Sequence, residues 1–534
     1  MKIDFRFKAT QTQLILISSL FFVIFDNYVF FEKSYQAFEN VWFLIGLGVL
    51  LYVVISTLLL LVSNKYIIKP LLIMLFVLSS AAAYYMKTYG TIIDKNMIVN
   101  IFQTDKNEVK DLLNPTLFAY ILFLGVLPSF LVYKTEIITR GLKEEIKSRI
   151  KLLIINILAV PILYVLFSKS WVSFFRTHKP LRMYTNPTFY IYSFAAYVKD
   201  KYFTAPIKYR HIGMDAKLGT YKKPKLVVFV LGEAARYDHF SLNGYKRDTN
   251  PVLEKTKDLI NFPDVHSCGT ETAVSVPCMF SIYDRSDFSI KKARYTDNVI
   301  DILNRSGVNV LWRDNDSGSK HVADRIKNYE DFNNANIKPY CNNGNCVDDV
   351  LLYKLQDWVN NVKNGKPIFI VLHTKGSHGP AYYKRYPKSF EKFKPVCKSN
   401  QLQKCKKEEV VNAYDNTILY TDDFLGKVIK FLKANEKKYQ VAMYYMSDHG
   451  ESLGEGGIYL HGLPYFIAPD VQKHPASVAW FAKNFDVNIS CVKKISSKPY
   501  TQDNLFSTLL GLFDVKTKVY DPAKDIFFKC RIKK

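Results

Sequence analysis

The first third of the chain alternates long apolar runs with short polar segments. Each run approaches the ~20 residues that an α-helix needs to cross a bilayer. The runs cover residues 12–31, 41–63, 67–86, 116–133 and 150–168. Buried helices of a soluble core do not explain so many runs in succession, and a signal peptide would not be followed by four more. The pattern therefore predicts a transmembrane domain of five helices over residues 1–168.

Basic residues between the runs predict the orientation of this domain. Lys2, Arg6 and Lys8 precede the first run, and a second basic group occupies positions 134–151 between the fourth and fifth runs. Loops rich in Lys and Arg stay in the cytoplasm. We therefore expect a cytoplasmic N-terminus, and an odd number of spans would place everything after residue 168 on the outer side.

Two segments beside the membrane carry amphipathic patterns. The outer loop 87–115 places Asn100, Thr104 and Glu108 at intervals of four, which would align them on one face of a surface helix. That face is either the solvated side of the helix or the wall of a site. The connector 169–221 is rich in aromatic and basic side chains, a composition typical of helices at a membrane interface.

From residue 222 the pattern changes to short apolar runs separated by helical stretches. Continuous apolar runs of this length suit buried parallel strands. The runs cover residues 226–231, 308–312, 368–372 and 441–446. The alternation predicts an α/β domain over 222–534, with helices on both faces of its sheet. Because such sheets bind ligands beyond the carboxyl ends of their strands, the residues after each run are the candidates for a site.

Those positions carry carboxylates and imidazoles. Glu233 follows the first run, and Asp448 and His449 follow the fourth. Oxygen and imidazole donors without cysteine suit zinc or manganese, so we predict these three side chains as metal ligands, with a threonine hydroxyl completing the set. His378, after the third run, and His461 can protonate a leaving alkoxide.

A hydroxyl-rich segment supplies candidates for the threonine. Residues 268–278 begin and end with cysteine and contain Thr270 and Thr272. A hydroxyl held at a helix start can act as a nucleophile, because the N-terminal amides favour an incoming phosphate. The residues alone do not choose between the two threonines, and a bridged surface loop is the alternative. Lys320 could hold a phosphate oxygen.

The positions of the cysteines and the net charge indicate the compartment and the partners of the protein. All eight cysteines follow residue 168, which indicates disulfides in an oxidising compartment. The predicted pairs are Cys268–Cys278, Cys341–Cys346, Cys397–Cys405 and, at long range, Cys491–Cys530. A zinc–cysteine site is the competing interpretation, but the sequence has no CxxC pair. The net charge of +25 points to anionic membrane lipids rather than to nucleic acid.

Six motifs give the chain a resemblance to a known family. They are GEAAR at 232–236, SCGTET at 267–272, SVPCMFS at 275–281, WRDN at 312–315, GSHGP at 376–380 and SDHGES at 447–452. With them the chain resembles the lipid A phosphoethanolamine transferases, which include the mobile colistin-resistance enzymes, within the alkaline phosphatase/sulfatase superfamily. Five spans followed by an outer α/β domain are similar too, so the resemblance covers nearly the whole chain.

The resemblance implies an activity and a location. It implies an enzyme of the bacterial inner membrane, with its catalytic domain in the periplasm. We expect a monomer, although the sequence leaves the oligomeric state open. Phosphoethanolamine would pass from phosphatidylethanolamine to lipid A or lipooligosaccharide through a covalent phosphothreonine, and resistance to polymyxin and other cationic peptides would follow. One tightly bound Zn²⁺ is expected, with room for a second during turnover.

The resemblance also assigns residues. The family's nucleophile is the second threonine of its CGTxT pattern, which selects Thr272 here. The family's zinc ligands map onto Glu233, Thr272, Asp448 and His449. Its substrate-site residues map onto Asn100, Thr104, Glu108, Ser317, Lys320, His378 and His461. Asp316 departs from the pattern, since some relatives carry Asn there, and its extra negative charge beside a phosphate is expected to alter substrate preference.

Three other functions fit parts of the pattern. A glycerol-phosphate transferase resembling the lipoteichoic acid synthases would share five spans and a threonine nucleophile, but the CGTxT…SVPC motif and the cysteines argue against it. A sulfatase would carry Cys or Ser before a CxPxR-type run, which is missing. A lipid-binding sensor or scaffold would keep its function without Glu233 or Thr272.

Overall fold

The structure of the chain is a computed structural model in two compact units. It describes residues 7–104, 106–139, 141–203, 207–333, 335–342, 345–363 and 365–532. The first unit comprises residues 1–99 and 113–204, and the second comprises residues 100–112 and 205–534. The domain limits at residues 168 and 222 stay predictions. Lys2, Arg6 and Arg140, which support the predicted orientation, lie outside the described residues.

Helices dominate the chain up to residue 203. They are α1 Gln11–Phe21, α2 Tyr28–Phe38, α3 Val41–Val62, α4 Ile68–Tyr89, α5 Lys95–Gln103, α6 Lys106–Leu112, α7 Pro115–Tyr120, α8 Leu127–Lys134, α9 Leu142–Leu166, α10 Ser168–Arg176 and α11 Thr188–Val198. Two short parallel strands, β1 Lys8–Ala9 and β2 Glu136–Ile137, pair with each other. Asn114 caps α7 by accepting a hydrogen bond from the Leu117 amide, and Pro115 occupies the first turn, where its missing N–H costs nothing.

The apolar runs form membrane-spanning helices, with one irregularity. The stretches Val41–Val62, Ile68–Tyr89, Pro115–Lys134 and Leu142–Leu166 are each long and apolar enough to cross a bilayer. Helix α1 continues through a π-helical turn to Asp26 and meets α2 at a bend of 62°, and this pair makes a fifth span if it is counted as one.

A buried asparagine holds the bend that interrupts the predicted run 12–31. The Asn27 amide donates to the carbonyls of Phe22 at 2.9 Å and Asn186 at 2.7 Å, and its oxygen accepts from the Asn186 amide at 2.8 Å. The first bond satisfies a carbonyl that a continuous helix would have paired within itself, and the other two tie the bend to the backbone of Asn186. The hydropathy pattern shows no sign of them.

The connector after α9 packs partly inside the first unit. Trp171 and Phe174 are buried, and their rings lie 4.8 Å and 6.4 Å from the ring of Phe43 in α3. Phe175 and Tyr192 are exposed. Only part of the aromatic composition is therefore available for a membrane interface, and the rest is packing.

The outer segment forms two helices rather than the single helix that the four-residue spacing predicts. Helix α5 ends at Gln103 and α6 begins at Lys106. The Thr104 hydroxyl donates to the Asn100 carbonyl at 2.8 Å, a side-chain bond that competes with continuation of the helix. Asn100, Thr104 and Glu108 therefore do not share one face of one helix, and that prediction is wrong.

The second unit is built on a seven-stranded sheet. Seven strands form this sheet and six more form three two-stranded sheets. The strands of the unit, in chain order, are β3 Lys225–Gly232, β4 Leu259–Asn261, β5 Val265–His266, β6 Asn309–Asp314, β7 Asn328–Asp331, β8 Cys341–Asn342, β9 Asn345–Cys346, β10 Ile368–His373, β11 Gln440–Ser447, β12 Ser452–Glu455, β13 Ile458–Leu460, β14 Ser477–Phe481 and β15 Tyr500–Thr501. The order in the large sheet is β4-β14-β11-β3-β10-β6-β7. Strands β11, β3, β10, β6 and β7 are parallel to one another, and β14 and β4 add an antiparallel edge next to β11.

The predicted α/β fold is confirmed, and the four apolar runs become the four central strands. Alternate residues of β3 point to opposite faces of the sheet: Val227 and Phe229 join one hydrophobic cluster, while Val228 and Val230 join the other. Both faces are thus covered, which explains why these runs contain no polar alternation.

Helices and disulfides complete the second unit. The helices are α12 Pro251–Glu254, α13 Thr272–Met279, α14 Ile290–Arg294, α15 Val299–Ser306, α16 Leu355–Asn361, α17 Lys407–Asn435, α18 Asp470–Lys473, α19 Ile489–Ile495 and α20 Leu505–Leu512. The structure joins the cysteines in the four expected pairs, Cys268–Cys278, Cys341–Cys346, Cys397–Cys405 and Cys491–Cys530.

Candidate active site

Strand pairing brings two carboxylates together at the carboxyl edge of the sheet. Ser447 at the end of β11 pairs with Gly232 at the end of β3, so the next residues, Asp448 and Glu233, emerge side by side. The Asp448 amide donates to the Gly232 carbonyl at 3.0 Å, which holds the two chain ends together beyond the strands. Both carboxylates are fully buried.

His449 joins this pair in a fixed orientation. Its Nδ1 lies 2.8 Å from the Gly450 carbonyl, which only accepts, so Nδ1 carries the proton. The other nitrogen, Nε2, lies 3.2 Å from Asp448 Oδ2 and 3.5 Å from Glu233 Oε1. The three side chains place one potential ligand atom each within 4.8 Å of one another.

Thr272 completes the cluster as the first residue of α13. Its hydroxyl oxygen lies 3.0 Å from Glu233 Oε2 and 3.5 Å from His449 Nε2. Thr270 has a different environment, because its hydroxyl donates to the Leu463 carbonyl at 2.6 Å. Of the two threonines that the sequence left open, the structure brings Thr272 to the carboxylates.

Local packing holds the threonine segment in place. The Cys268–Cys278 bridge closes the segment, and the Ser275 hydroxyl accepts from the Gly269 amide at 3.0 Å. Gln502 accepts from the Cys268 amide at 2.7 Å and donates to the carbonyls of Ser447 and Asp448 at 3.0 Å and 2.6 Å. This one buried side chain therefore connects the threonine segment to the carboxylate loop.

The cluster has the properties of a cation site. Burial, with the Asp448 and Asp316 carboxylates adding to it, raises the pKa of Glu233 well above its ordinary range. Glu233 Oε1 and Asp448 Oδ2 have no hydrogen-bond donor among the described residues. Buried anionic oxygens without donors are costly, and a bound divalent cation would satisfy them. The oxygen and imidazole donors fit zinc.

Two further imidazoles face this cluster. The rings of His461 and His449 lie 4.2 Å apart, and those of His461 and His378 lie 5.6 Å apart. Burial lowers the pKa of His461, but the Glu451 carboxylate, 2.7 Å from its Nδ1, outweighs this and the net direction is upward. Burial lowers the pKa of His378 well below its ordinary range.

The loop after β6 supplies a buried cation. Lys320 is almost fully buried, and its ammonium donates to the carbonyl and the hydroxyl of Ser317 at 2.9 Å and 2.5 Å. Asp316 is also buried and accepts from the Ser317 hydroxyl at 2.8 Å. Burial disfavours its charged form, yet the neighbouring His373 and the nearby cations hold the pKa of Asp316 below its ordinary value. Its effect on substrate preference stays a prediction.

A cavity of about 460 Å³ opens beside this loop. Gln103 from the end of α5 lines it together with Ser317, Lys320 and Tyr329. Five residues further along, Glu108 in α6 is buried, with its Oε1 3.9 Å from His378 Nε2. Segment 100–112 thus forms part of the site's surroundings within the second unit.

A buried ion pair fastens that segment. Asp111 accepts from Lys384 Nζ at 2.5 Å and from the Arg385 guanidinium at 2.8 Å. Asn400 donates to the Asp111 carbonyl at 2.6 Å. Asp111 lies three residues after Glu108, so this contact fixes the turn of helix that carries the Glu108 carboxylate.

Sequence reasoning missed three residues that shape the site: Glu451, Gln502 and Asp111. Glu451 lies inside the SDHGES motif, but the motif does not reveal its contact with His461. Gln502 and Asp111 lie outside the six motifs. Their partners lie 234 and 273 residues away in sequence, a separation that no local pattern reveals.

The fold and the site together define a class of protein. A membrane-spanning helical unit is joined to an α/β unit whose carboxyl strand edge gathers a threonine, carboxylates and imidazoles. The sulfatase family model matches residues 225–515, and the model for phosphoethanolamine transferase EptA/EptB matches residues 51–202.

Similar proteins identify the family within this class. The chain is 42% identical over 533 residues to phosphatidylethanolamine transferase Mcr-2 of Escherichia coli, covering 97% of this chain and 98% of that protein. It is 39% identical over 534 residues to phosphoethanolamine transferase EptA of E. coli K12, covering 97% and 96%. The solved integral membrane lipooligosaccharide phosphoethanolamine transferase A of Neisseria meningitidis superposes with a TM-score of 0.95 at 35% identity, covering 99% and 100%. The chain belongs to the phosphoethanolamine transferase family.

Proposed function

We propose that this protein transfers phosphoethanolamine from phosphatidylethanolamine to lipid A or lipooligosaccharide in two steps, with Thr272 as the covalent carrier. The observation that carries the proposal is the position of the Thr272 hydroxyl, 3.0 Å from the buried Glu233 carboxylate at the start of α13. The relatives named above are named as phosphatidylethanolamine or phosphoethanolamine transferases. The proposed setting is the inner membrane, with the second unit in the periplasm.

Glu233, Thr272, Asp448 and His449 would hold one zinc ion. When bound, zinc lowers the pKa of a coordinated hydroxyl and offsets charge on a phosphoryl oxygen. The protein's own contribution is to fix the four ligand atoms in advance: strand pairing sets the carboxylates, and the Gly450 carbonyl sets the His449 tautomer.

In the first step, Thr272 Oγ1 bonds to phosphorus and the bond from phosphorus to the diacylglycerol oxygen breaks. Thr272 gives up its hydroxyl proton, and the departing oxygen gains one. His461 suits this proton delivery, because its Nδ1 is held by Glu451 at 2.7 Å and Nε2 remains to carry a proton at the substrate. His378 is the second candidate. Lys320 would hold a phosphate oxygen.

In the second step, an oxygen of the acceptor attacks the phosphothreonine. The new bond joins this acceptor oxygen to phosphorus, and Thr272 Oγ1 leaves and recovers a proton. A phosphate of lipid A or a sugar hydroxyl of its core can serve as acceptor. Since each step breaks one phosphorus–oxygen bond and forms another, no further reactant is needed.

The experiment uses the purified full-length protein in detergent with zinc. It would be incubated with fluorescent phosphatidylethanolamine and examined by intact mass spectrometry beside Thr272→Ala and a Thr270→Ala control. We expect diacylglycerol release and a gain of one phosphoethanolamine mass in wild type and in Thr270→Ala, and neither in Thr272→Ala.

Two results would contradict the proposal. Release of diacylglycerol from phosphatidylglycerol but not from phosphatidylethanolamine would assign the chain to the glycerol-phosphate alternative. A mass gain that persists in Thr272→Ala would show that Thr272 is not the nucleophile.

A further inference from the structure

We propose that His266, Asp470 and His474 form a second site for a divalent transition-metal ion, separate from the Glu233 cluster and structural in role. One ligand atom from each of the three side chains lies within 4.8 Å of the others. His266 ends β5, while Asp470 and His474 bracket α18. The site does not depend on the proposed transfer reaction.

The hydrogen bonds of His474 direct a lone pair toward Asp470. Its Nε2 lies 2.9 Å from the Pro263 carbonyl. A carbonyl only accepts, so Nε2 must carry a proton. In the neutral ring Nδ1 then has a lone pair, and this atom lies 3.4 Å from Asp470 Oδ2. Two acceptors facing each other repel unless a cation lies between them.

His266 repeats the arrangement, with its ring stacked on that of His474 and the two centroids 4.7 Å apart. Its Nδ1 lies 3.3 Å from Asp264 Oδ1, and its Nε2 lies 3.6 Å from Asp470 Oδ1. Each imidazole therefore has one nitrogen next to a carbonyl or carboxylate and turns the other toward Asp470. Imidazoles that bind metals are oriented in this way by the partner of their second nitrogen.

The separations suit a first-row metal. Zinc–nitrogen and zinc–oxygen distances near 2.1 Å place neighbouring ligand atoms of a tetrahedral site about 3.4 Å apart. The two imidazole–carboxylate distances of 3.4 Å and 3.6 Å are close to that value. Two imidazoles with one carboxylate favour zinc or cobalt over calcium or magnesium, which prefer oxygen.

One side of the site is rigid and the other is open. The His474 ring is buried and stacks on Tyr237 with centroids 3.5 Å apart, and the Tyr237 amide donates to the His474 carbonyl at 3.1 Å. The Asp470 side chain is 59% exposed and His266 is 38% exposed. An ion can therefore enter from solvent and meet an imidazole that is already positioned.

The site would join two segments that support the catalytic cluster. The Ser267 amide, directly after His266 and before the threonine segment, donates to the Lys473 carbonyl at 2.8 Å. The Gly450 amide, directly after His449, donates to the Gln472 carbonyl at 3.0 Å. A metal bound by His266, Asp470 and His474 would clamp these segments together, so we expect it to raise thermal stability.

Zinc content per chain tests the site. Full-length protein, dialysed against buffered micromolar free Zn²⁺, would be analysed by elemental mass spectrometry as wild type, His266→Gln and Asp470→Asn. His211→Gln is the matched control, because that exposed ring lies 3.4 Å from Asp297 without a second histidine among its described contacts. We expect both site variants to hold one zinc fewer than wild type and the control to hold the same number.

A background without the proposed catalytic metal separates the two sites. In Asp448→Asn we expect one zinc to remain, and adding His266→Gln should remove it. Added Zn²⁺ should raise the melting temperature of Asp448→Asn but not that of the double variant. Equal zinc content in wild type, His266→Gln and Asp470→Asn would overturn the inference and leave protonated histidines paired with Asp470.

Discussion

At the scale of single residues, the hydrogen bond at one atom of a polar side chain determines what its other polar atom can do. His461 is an example, because Glu451 occupies its Nδ1 at 2.7 Å and leaves Nε2 for the substrate. Glu451 is itself positioned, since its other oxygen accepts from the Tyr382 hydroxyl at 2.6 Å. The carboxylate is fully buried and contacts imidazole and phenol rather than the reacting atoms.

Replacing Glu451 by Gln tests this orientation. The glutamine can still accept from Tyr382, but it lacks the negative charge that raises the pKa of His461, so the imidazolium that delivers a proton would form less readily. We expect kcat to fall roughly 10- to 100-fold, as when an orienting carboxylate is lost at metal centres, with little change in KM. Steady-state kinetics with fluorescent phosphatidylethanolamine would measure both. A rise in KM at constant kcat would contradict the assigned role.

Gln502 gives a second prediction at this scale. Gln502→Ala would leave the Cys268 amide and the Ser447 and Asp448 carbonyls without their side-chain partner. Such losses cost about 1–3 kcal/mol per buried group, so we expect a lower melting temperature and weaker zinc binding. Gln440→Ala is the control, because Gln440 is also buried but donates to the Lys223 carbonyl at the opposite end of β11. Zinc affinity that falls equally in both variants would show a general effect on folding.

At the scale of elements, the central strands could be predicted from sequence and the edges could not. Strands β3, β6, β10 and β11 are covered on both faces, so their apolar runs are continuous. Strand β7, with the sequence NYED, lies at the sheet edge and has no apolar run to reveal it. The position of segment 100–112 was equally hidden, because it depends on the contact of Asp111 with Lys384 and Arg385.

The ion pair of Asp111 with Lys384 and Arg385 predicts how segment 100–112 affects the binding of phosphatidylethanolamine. Asp111→Asn removes the charge that holds Lys384 and Arg385, so Glu108 and Gln103 should be less well positioned around the site. We expect KM for phosphatidylethanolamine to rise about tenfold, equivalent to ~1.4 kcal/mol, with a smaller change in kcat. Asp287→Asn is the control, because Asp287 makes an exposed ion pair with Lys292 at 2.6 Å and exposed pairs contribute little. An unchanged KM in Asp111→Asn would show that the ion pair does not position the segment.

A residue of the candidate site could be predicted from the sequence when it lies within a recognisable motif. Glu233, Asp448 and His449 follow recognisable apolar runs, and Thr272 lies in the hydroxyl-rich segment, where the family resemblance selects it over Thr270. The structure gathers all four side chains. The single helix through Asn100, Thr104 and Glu108 was wrong, since spacing alone does not show that Thr104 bonds back to its own helix. Roles that depend on contacts across hundreds of residues, such as that of Gln502, are absent from any local pattern.

At the scale of the whole molecule, the proposed reaction has a consequence for the cell surface. Each transfer adds a positively charged amine beside a phosphate of lipid A. Cationic peptides bind that surface electrostatically, so their affinity should fall. Expression of the wild type in a polymyxin-susceptible Gram-negative host should raise the inhibitory concentration of polymyxin several-fold, and Thr272→Ala should not. Equal protection by both proteins, at equal membrane levels, would favour the lipid-binding scaffold.

The division of the chain into units bears on how the protein can be studied in pieces. The polypeptide passes between the two units at residues 99–100, 112–113 and 204–205. A truncated soluble form starting at residue 205 would keep Thr272 and the carboxylates yet lack Gln103, Glu108 and Asp111. Inhibitors selected against such a fragment would meet a cleft with one wall missing, and their potency against the intact protein would have to be measured anew.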